Sequence, residues 1–448
     1  MTKQLKWFGT DGIRGVANQD LTPELAMQVG RAGAFALTGQ LGRPPKILLG
    51  TDTRISADML EAAILAGLCS VGAFAYRVGV VPSPAMAYLV RLYEMDAGVM
   101  LSASHNPMPD NGIKFFDRLG YKLSDEIEDE IEELIQNSEI PRSLGGNVGH
   151  SIMRENAVAD YVNFLTGTIH NSFEGLKVGL DCANGACFET APPTFERLGA
   201  KIFPINHRPT GININLDCGS THLQAIKNHV LKNELDVGFA FDGDGDRVLC
   251  VDELGQEMDG DAIMAICALS LKQKNMLQNN TIVATVMSNM GLQIFCDREK
   301  IALRRTAVGD RYVIQDMQKG GYNLGGEQSG HIIFKDYNTT GDGILTALQL
   351  LDVIVSTGQK LSELRTIISA LPQVLLGAKI KKKAELSEYP NITNKMQEIE
   401  EQLGTTGRLL VRASGTEPLI RVMIEGPDQT IISRQAEDLV ALIEERLG

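Results

Sequence analysis

Asp242, Asp244 and Asp246 alternate with Gly243 and Gly245 in the run DGDGDR. Carboxylates that close repel one another strongly unless a cation sits among them, and the glycines leave the backbone free to turn all three inward. An oxygen-only ligand set points to a hard ion, Mg²⁺ first. An EF-hand calcium loop is the nearest competitor, because Glu253 falls at the twelfth position counted from Asp242. It fails because Arg247 holds the sixth position, where glycine is needed, and because the flanks read as strands. A structural acidic turn stays open as the alternative.

Four other stretches carry usable groups. Residues 101–114, LSASHNPMPDNGIK, place Ser102, Ser104, His105 and Asn106 directly after the apolar run AGVML. In parallel α/β sheets, ligands gather at that end of a strand, although an ordinary βα turn uses the same residue types. Residues 7–15, WFGTDGIRG, bring three glycines, an aspartate and Arg14 together, which suits backbone close to an anion; a simple Gly-rich turn has the same composition. Arg412, Ser414, Gly415, Thr416 and Arg421 combine two guanidinium groups, two hydroxyls and glycine amides, a set able to grip a phosphate. In GGEQSGH, Glu327, Ser329 and His331 offer acceptors and donors spaced for adjacent sugar hydroxyls, as a polar strand-end turn also would. Together, a loop serine, a three-aspartate loop, a hydroxyl-reading loop and a phosphate clamp describe phosphoryl transfer on a phosphorylated polyol.

The elements that must position these groups alternate. Strands are expected at 46–50, 78–81 and 97–101, with helices at 24–37 and 58–70 between or before them. Ser124 can cap a further helix whose apolar positions are Ile127, Ile131, Leu134 and Ile135. A second unit opens with the strand at 177–181 and has a later strand at 237–241 that runs into the aspartates. A third has strands at 281–286 and 322–324 and a helix at 342–355. Beyond Pro372 the strands at 378–382, 408–411 and 419–425, with a closing helix at 431–446, form a smaller α+β unit. The expected fold is therefore three similar tandem α/β domains with mixed, largely parallel sheets, at 1–155, 156–254 and 255–371, followed by a C-terminal domain at 372–448.

Bulk composition narrows the function. Lys and Arg number 42 against 56 Asp and Glu, a net charge of −14, which repels nucleic acid and anionic membrane. The seven cysteines are odd in number and contain no CxxC pair, so they read as reduced core residues of a cytoplasmic protein. The most apolar long segment, 344–355, is interrupted by Thr346, Gln349 and Asp352, and the first ten residues lack an apolar signal region, so neither export nor membrane spanning is expected.

At this point a resemblance becomes specific. FGTDGIRG, SASHNP with NGIKFF, DGDGDR, VGDRYV, GGEQSGH and RASGTEPLIRVMIEG resemble, in order and over almost the whole length, the motifs of the α-D-phosphohexomutases, and within them the amino-sugar branch. The resemblance implies four domains around a central cleft and a catalytic serine, Ser104, that is a phosphoserine in the active enzyme. It implies Mg²⁺ held by Asp242, Asp244, Asp246 and an oxygen of that phosphoserine. Arg14, His105, Lys114 and Arg247 would line the transferring group, with Lys114 a candidate proton acceptor. Asp310 and Arg311 of VGDR would join Glu327, Ser329, His331 and the Arg412 to Arg421 clamp in binding substrate. The implied cycle converts glucosamine 6-phosphate through glucosamine 1,6-bisphosphate to glucosamine 1-phosphate, a precursor of cell-wall sugar nucleotides, with that bisphosphate or glucose 1,6-bisphosphate as activator. Partners would be small sugar phosphates, with a homodimer left open. Gln328 and VGDR favour the amino-sugar branch over the phosphomannomutase/phosphoglucomutase branch, which is the alternative.

Overall fold

Three of the four sheets share one plan. The computed structural model describes residues 7–9, 11–38, 41–137, 140–381, 386–413 and 418–448. In the first sheet, strands Lys46–Thr51, Phe74–Val80 and Ala97–Leu101 run parallel, with Lys46–Thr51 in the middle, and Asp110–Asp117 adds antiparallel beside Ala97–Leu101. The second repeats this order with Lys177–Asp181 between Lys201–Ile205 and Val237–Phe241, and Val248–Asp252 antiparallel beside the last. The third does so with Thr281–Thr285 between Ala302–Thr306 and Leu324–Gly326, and Ile332–Phe334 antiparallel beside Leu324–Gly326. The first sheet is extended by Gly12–Val16 and Phe8–Gly9 at one edge and Ser151–Met153 at the other, and the second by Glu257–Met258.

This plan decides where chemistry can sit. The turn from the third strand to its antiparallel partner opens at the C-terminal end of the parallel strands, where side chains and backbone amides are unpaired by the sheet. Those three turns are residues 102–109, 242–247 and 327–331, so SASHNP, DGDGDR and EQSGH occupy equivalent places in three sheets. The repeat lies in topology, not in residue identity. The strands that lead into the first two turns, AGVML and VGFAF, are buried along their whole length, as expected of strands covered on both faces.

Some boundaries differ from those expected. The strand placed at 322–324 runs Leu324–Gly326 instead. Its paired glycines allow close backbone approach, since a Cβ on Gly326 would lie 2.5 Å from the His331 carbonyl oxygen. Asp342 precedes the helix Gly343–Thr357 as its N-cap, accepting from Leu345 N at 3.0 Å. The strand expected at 378–382 is Gln373–Lys379, and 382–385 lie outside the described residues.

The chain divides into two compact units, residues 1–287 with 301–366, and residues 288–300 with 367–448. In the second, an antiparallel sheet places Leu419–Glu425 between Gln373–Lys379 and Arg408–Ala413, and Ile420, Val422 and Ile424 pack with Ile392, Leu439 and Ile443 of two helices, Pro390–Leu403 and Gln429–Leu447. Helix Met290–Glu299, although it follows a strand of the third α/β sheet, belongs here. Fully buried Glu425 accepts from Met290 N at 2.9 Å and from Arg408 Nε at 2.8 Å, and Asn289 Oδ1 accepts from Leu371 N at 2.8 Å. Among the described residues, no helix is long and apolar enough to cross a membrane.

Candidate active site

Ser104 lies in the first of the three equivalent turns, buried and with φ of 52°. A side-chain-bearing residue in the left-handed region costs about 1 kcal/mol or more, so surrounding contacts must hold it there. Its Oγ donates to Asp242 Oδ2 at 2.6 Å and accepts from Arg247 Nη1 at 2.9 Å, with His105 Nδ1 3.4 Å away. Arg247 Nη1 also donates to His105 Nδ1 at 2.6 Å. Burial, then Arg247 and Arg14, hold the His105 imidazole below its ordinary pKa. Ser102 points away from this centre. Its Oγ donates to Asp52 Oδ2 at 2.6 Å and accepts from Ser104 N at 3.0 Å, which makes it a support of the turn.

The second turn supplies the carboxylates. One oxygen from each of Asp242, Asp244 and Asp246 lies within 4.8 Å of the others, and all three side chains are buried. Asp244 Oδ1 and Asp246 Oδ1 take no hydrogen bond among the described residues. Burial, then Asp246 and Asp244, push the Asp242 carboxyl well above the usual carboxylate range. Crowded, buried carboxylate oxygens without donors fit a hard divalent cation, and these three residues could hold one.

A chain of ion pairs continues from there. Asp244 Oδ2 accepts from Ser83 Oγ at 2.5 Å and from Lys114 Nζ at 2.8 Å. Lys114 Nζ also meets Asp11 Oδ2 at 3.0 Å, and Asp11 in turn pairs with Arg14 and with Lys122, whose Nζ reaches Asp310 Oδ2. Burial alone would lower the Lys114 pKa, but Asp11 and Asp244 outweigh it and raise it. His331 Nε2 stands 3.5 Å from Asp310 Oδ2 and 3.9 Å from Asp246 Oδ2. In the third turn, Glu327 Oε1 accepts from Gly309 N at 3.1 Å, tying VGDR to the EQSGH turn. Arg311 faces helix Asp125–Asn137, where it pairs with Asp125 and, at 2.8 Å, with Glu128, and it lines a cavity of about 390 Å³ together with Lys122 and Asp310.

The structure thus gathers Ser104, His105, Asp242 and Arg247 in one set of short contacts and Arg14, Lys114, Asp244, Asp310 and His331 in a second, and the cluster of Asp242, Asp244 and Asp246 joins the two. Ser329 is exposed in its turn. Arg412 and Arg421, in the second unit, are direct cross-strand partners, while Ser414, Gly415 and Thr416 lie outside the described residues. Sequence reasoning gave Asp11 no role beyond its place in WFGTDGIRG and assigned none to Asp52, Arg54, Ser83, Lys122 and Asn215. The signal for Asp52 and Arg54 was available, since they directly follow the strand Lys46–Thr51 at its C-terminal end.

Comparison with known proteins agrees with this geometry. Four models of the phosphoglucomutase/phosphomannomutase family match in order, alpha/beta/alpha domain I at residues 5–141, domain II at 159–255, domain III at 259–370 and the C-terminal domain at 353–442. The fold is also that of a phosphoglucomutase/phosphomannomutase family protein from Burkholderia thailandensis, with a TM-score of 0.83 at 23% identity over 99% of this chain and 98% of that one. A crystal structure of Aspergillus fumigatus N-acetylphosphoglucosamine mutase in complex with GlcNAc-6P and magnesium gives 0.70 at 17% identity, covering 100% and 96%. The chain belongs to the phosphoglucomutase/phosphomannomutase family. A phosphoglucosamine mutase of Ruminiclostridium cellulolyticum is 56% identical over 98% of this chain and 99% of its own length. Within the family, therefore, the chain falls among the phosphoglucosamine mutases, isomerases that interconvert glucosamine 6-phosphate and glucosamine 1-phosphate.

Proposed function

We propose that Ser104 carries the transferring phosphoryl group in this interconversion. The observation that supports the reading is the placement of a buried, left-handed serine with its Oγ 2.6 Å from Asp242 and 2.9 Å from Arg247. In the cycle, the bond from phosphorus to Ser104 Oγ breaks as one to the 1-hydroxyl oxygen of glucosamine 6-phosphate forms, giving glucosamine 1,6-bisphosphate, with the hydroxyl proton ending on Ser104 Oγ. After the bisphosphate reorients, Ser104 Oγ takes the 6-phosphoryl group, its proton ends on the freed 6-oxygen, and glucosamine 1-phosphate leaves. Either this bisphosphate or glucose 1,6-bisphosphate would serve as activator, recharging a serine that has lost its phosphoryl group.

This chain's residues have distinct parts in the proposal. Arg247 and Arg14 stabilise charge on the transferring group, and His105, gripped by Arg247, shapes its surroundings. Lys114, the candidate proton acceptor, is kept protonated by its pairs with Asp11 and Asp244, so its contribution in this state is positive charge. Mg²⁺ is the proposed ion, held by Asp242, Asp244, Asp246 and a phosphoserine oxygen, and its chemistry is to offset the charge of the group in transit. Glu327, Ser329, His331, Asp310 and Arg311 would read the sugar, and Arg412, Ser414, Gly415, Thr416 and Arg421 would hold the phosphate that is not transferred.

The four sheets are read as four domains meeting near 155, 254 and 371. Seven free cysteines, six of them buried, support a reducing, cytoplasmic location. Phosphopeptide mass spectrometry tests the central claim. Phosphate on the peptide containing Ser104, lost together with turnover in Ser104→Ala, is the expected result. Near-normal turnover in Ser104→Ala would overturn it.

A further inference from the structure

The Ser104 carbonyl oxygen accepts two hydrogen bonds, from Arg54 Nη2 at 3.1 Å and from Asn215 Nδ2 at 2.8 Å. The same two side chains reach the Asn106 carbonyl oxygen, at 2.7 and 3.0 Å respectively. Arg54 Nη1 adds the Pro107 carbonyl at 2.5 Å. The turn is thus gripped on both sides of His105 by one donor from the first sheet's loops and one from the second's. Both donors are buried, and each is itself fixed. Arg54 is held by Asp52 through its backbone N at 2.9 Å and its Nε at 3.0 Å. Asn215, at φ of 56°, is tied by its backbone N to the Ala183 carbonyl at 2.9 Å.

The grip also touches the aspartate loop. A Cβ on Gly243 would lie 2.5 Å from the Ser104 carbonyl oxygen and 2.8 Å from Asn215 Nδ2, so glycine is needed there for the two loops to close on each other. We propose that Asn215, acting with Arg54, is a positioning residue for phosphoryl transfer: by pinning the Ser104 carbonyl it holds the left-handed backbone that aims Ser104 Oγ at Asp242. Without the pin, relief of the backbone strain rotates the Ser104 peptide and swings Oγ off Asp242 and Arg247. Asn215 belongs to the loops of the second sheet, so the docking of that sheet on the first is read directly by the serine. The inference rests on the reading of Ser104 as the phosphoryl carrier.

Two substitutions at one position test it. Asn215→Gly keeps the left-handed backbone without strain and deletes the donor. Asn215→Asp keeps the shape and turns a donor into an acceptor facing two carbonyl oxygens. Both should lower kcat about tenfold or more, because misplacing a reacting group by a fraction of an ångström is costly in rate. KM for glucosamine 6-phosphate should stay within about twofold, since the ground-state sugar contacts are untouched. The aspartate should be the slower variant, and single-turnover transfer from phosphoenzyme prepared with glucose 1,6-bisphosphate should slow in parallel with kcat.

Wild-type kcat in Asn215→Gly overturns the proposal. So does a loss of kcat matched by an equal rise in KM and a lowered Tm, which is the signature of general loosening. If Asn215→Asp does not fold, Asn215→Gly decides. Ser104→Ala assayed alongside separates the two claims. An active Ser104→Ala removes the carrier reading, whereas an inactive Ser104→Ala with wild-type Asn215 variants removes only the positioning role.

Discussion

Lys114 Nζ lies 2.8 Å from Asp244 Oδ2, with both side chains buried. Each group is costly to bury alone, and each keeps its charge because the other is present. Burial alone would raise the Asp244 pKa, but Lys114 outweighs it and lowers it. Replacing one partner with an apolar residue leaves an uncompensated buried charge, which costs about 3 to 5 kcal/mol of folding stability. Lys114→Met should therefore lower the urea midpoint and abolish most turnover. Saturating Mg²⁺ should recover part of the stability, since a cation on the carboxylates binds only the folded state, but not the turnover. A variant as stable as wild type without Mg²⁺ would show that the pair does not matter to the fold.

Divalent metal should be required for turnover. A phosphoserine at Ser104 brings about −1.5 to −2 of charge against a neighbouring loop that already holds three buried carboxylates. Chelator should abolish activity and Mg²⁺ restore it, and Asp244→Asn should weaken Mg²⁺ binding measured by calorimetry. Full turnover in chelator would remove the metal from the reaction.

Much of the site was legible because its chemistry is dense in sequence. DGDGDR and SASHNP each place several functional groups within six residues, and the apolar strands before them mark which end of the sheet they serve. What could not be read is what joins the loops. Asn215 and Ser104 are separated by 111 positions, and Lys122 and Asp310 by 188, and no local pattern distinguishes such an asparagine or lysine from a solvated one. The shared four-strand plan was hidden for a related reason. Asp110–Asp117 buries Asn111 and Lys114 among apolar residues, so it breaks the alternation that would have marked a strand. Helix Met290–Glu299 could not be assigned to the second unit either, because its anchors, Arg408 and Glu425, lie more than a hundred residues further on.

Arg412 and Arg421 stand directly opposite each other on adjacent antiparallel strands. Like charges in that position destabilise a sheet, and a bound anion offsets part of that cost. In the proposed cycle such an anion is the phosphate of the substrate that stays in place, whichever end it is on. Arg421→Ala should weaken glucosamine 6-phosphate and glucosamine 1-phosphate alike, by roughly 1.5 to 3 kcal/mol for the lost charge-assisted bonds. KM measured in both directions checks this, and loss for one substrate only would contradict a shared clamp.

The preference for amino sugars should be real but modest. In the proposed site Asp310 and Glu327 stand with Asp246 of the three-aspartate loop, and anionic surroundings tolerate a protonated 2-amino group better than neutral ones would. The only cations paired with Asp310 among the described residues are Lys122 and, when protonated, His331. Room at C2 without a dedicated contact discriminates by only about 1 to 3 kcal/mol, so glucose 6-phosphate should still turn over slowly. The measurement is kcat/KM for glucosamine 6-phosphate, glucose 6-phosphate and mannose 6-phosphate under the same Mg²⁺ and bisphosphate activator. Glucosamine 6-phosphate should lead, and Asp310→Asn should narrow its lead by acting on the amino sugar more than on glucose. An unchanged ratio in Asp310→Asn would mean that the preference is set by groups other than this carboxylate.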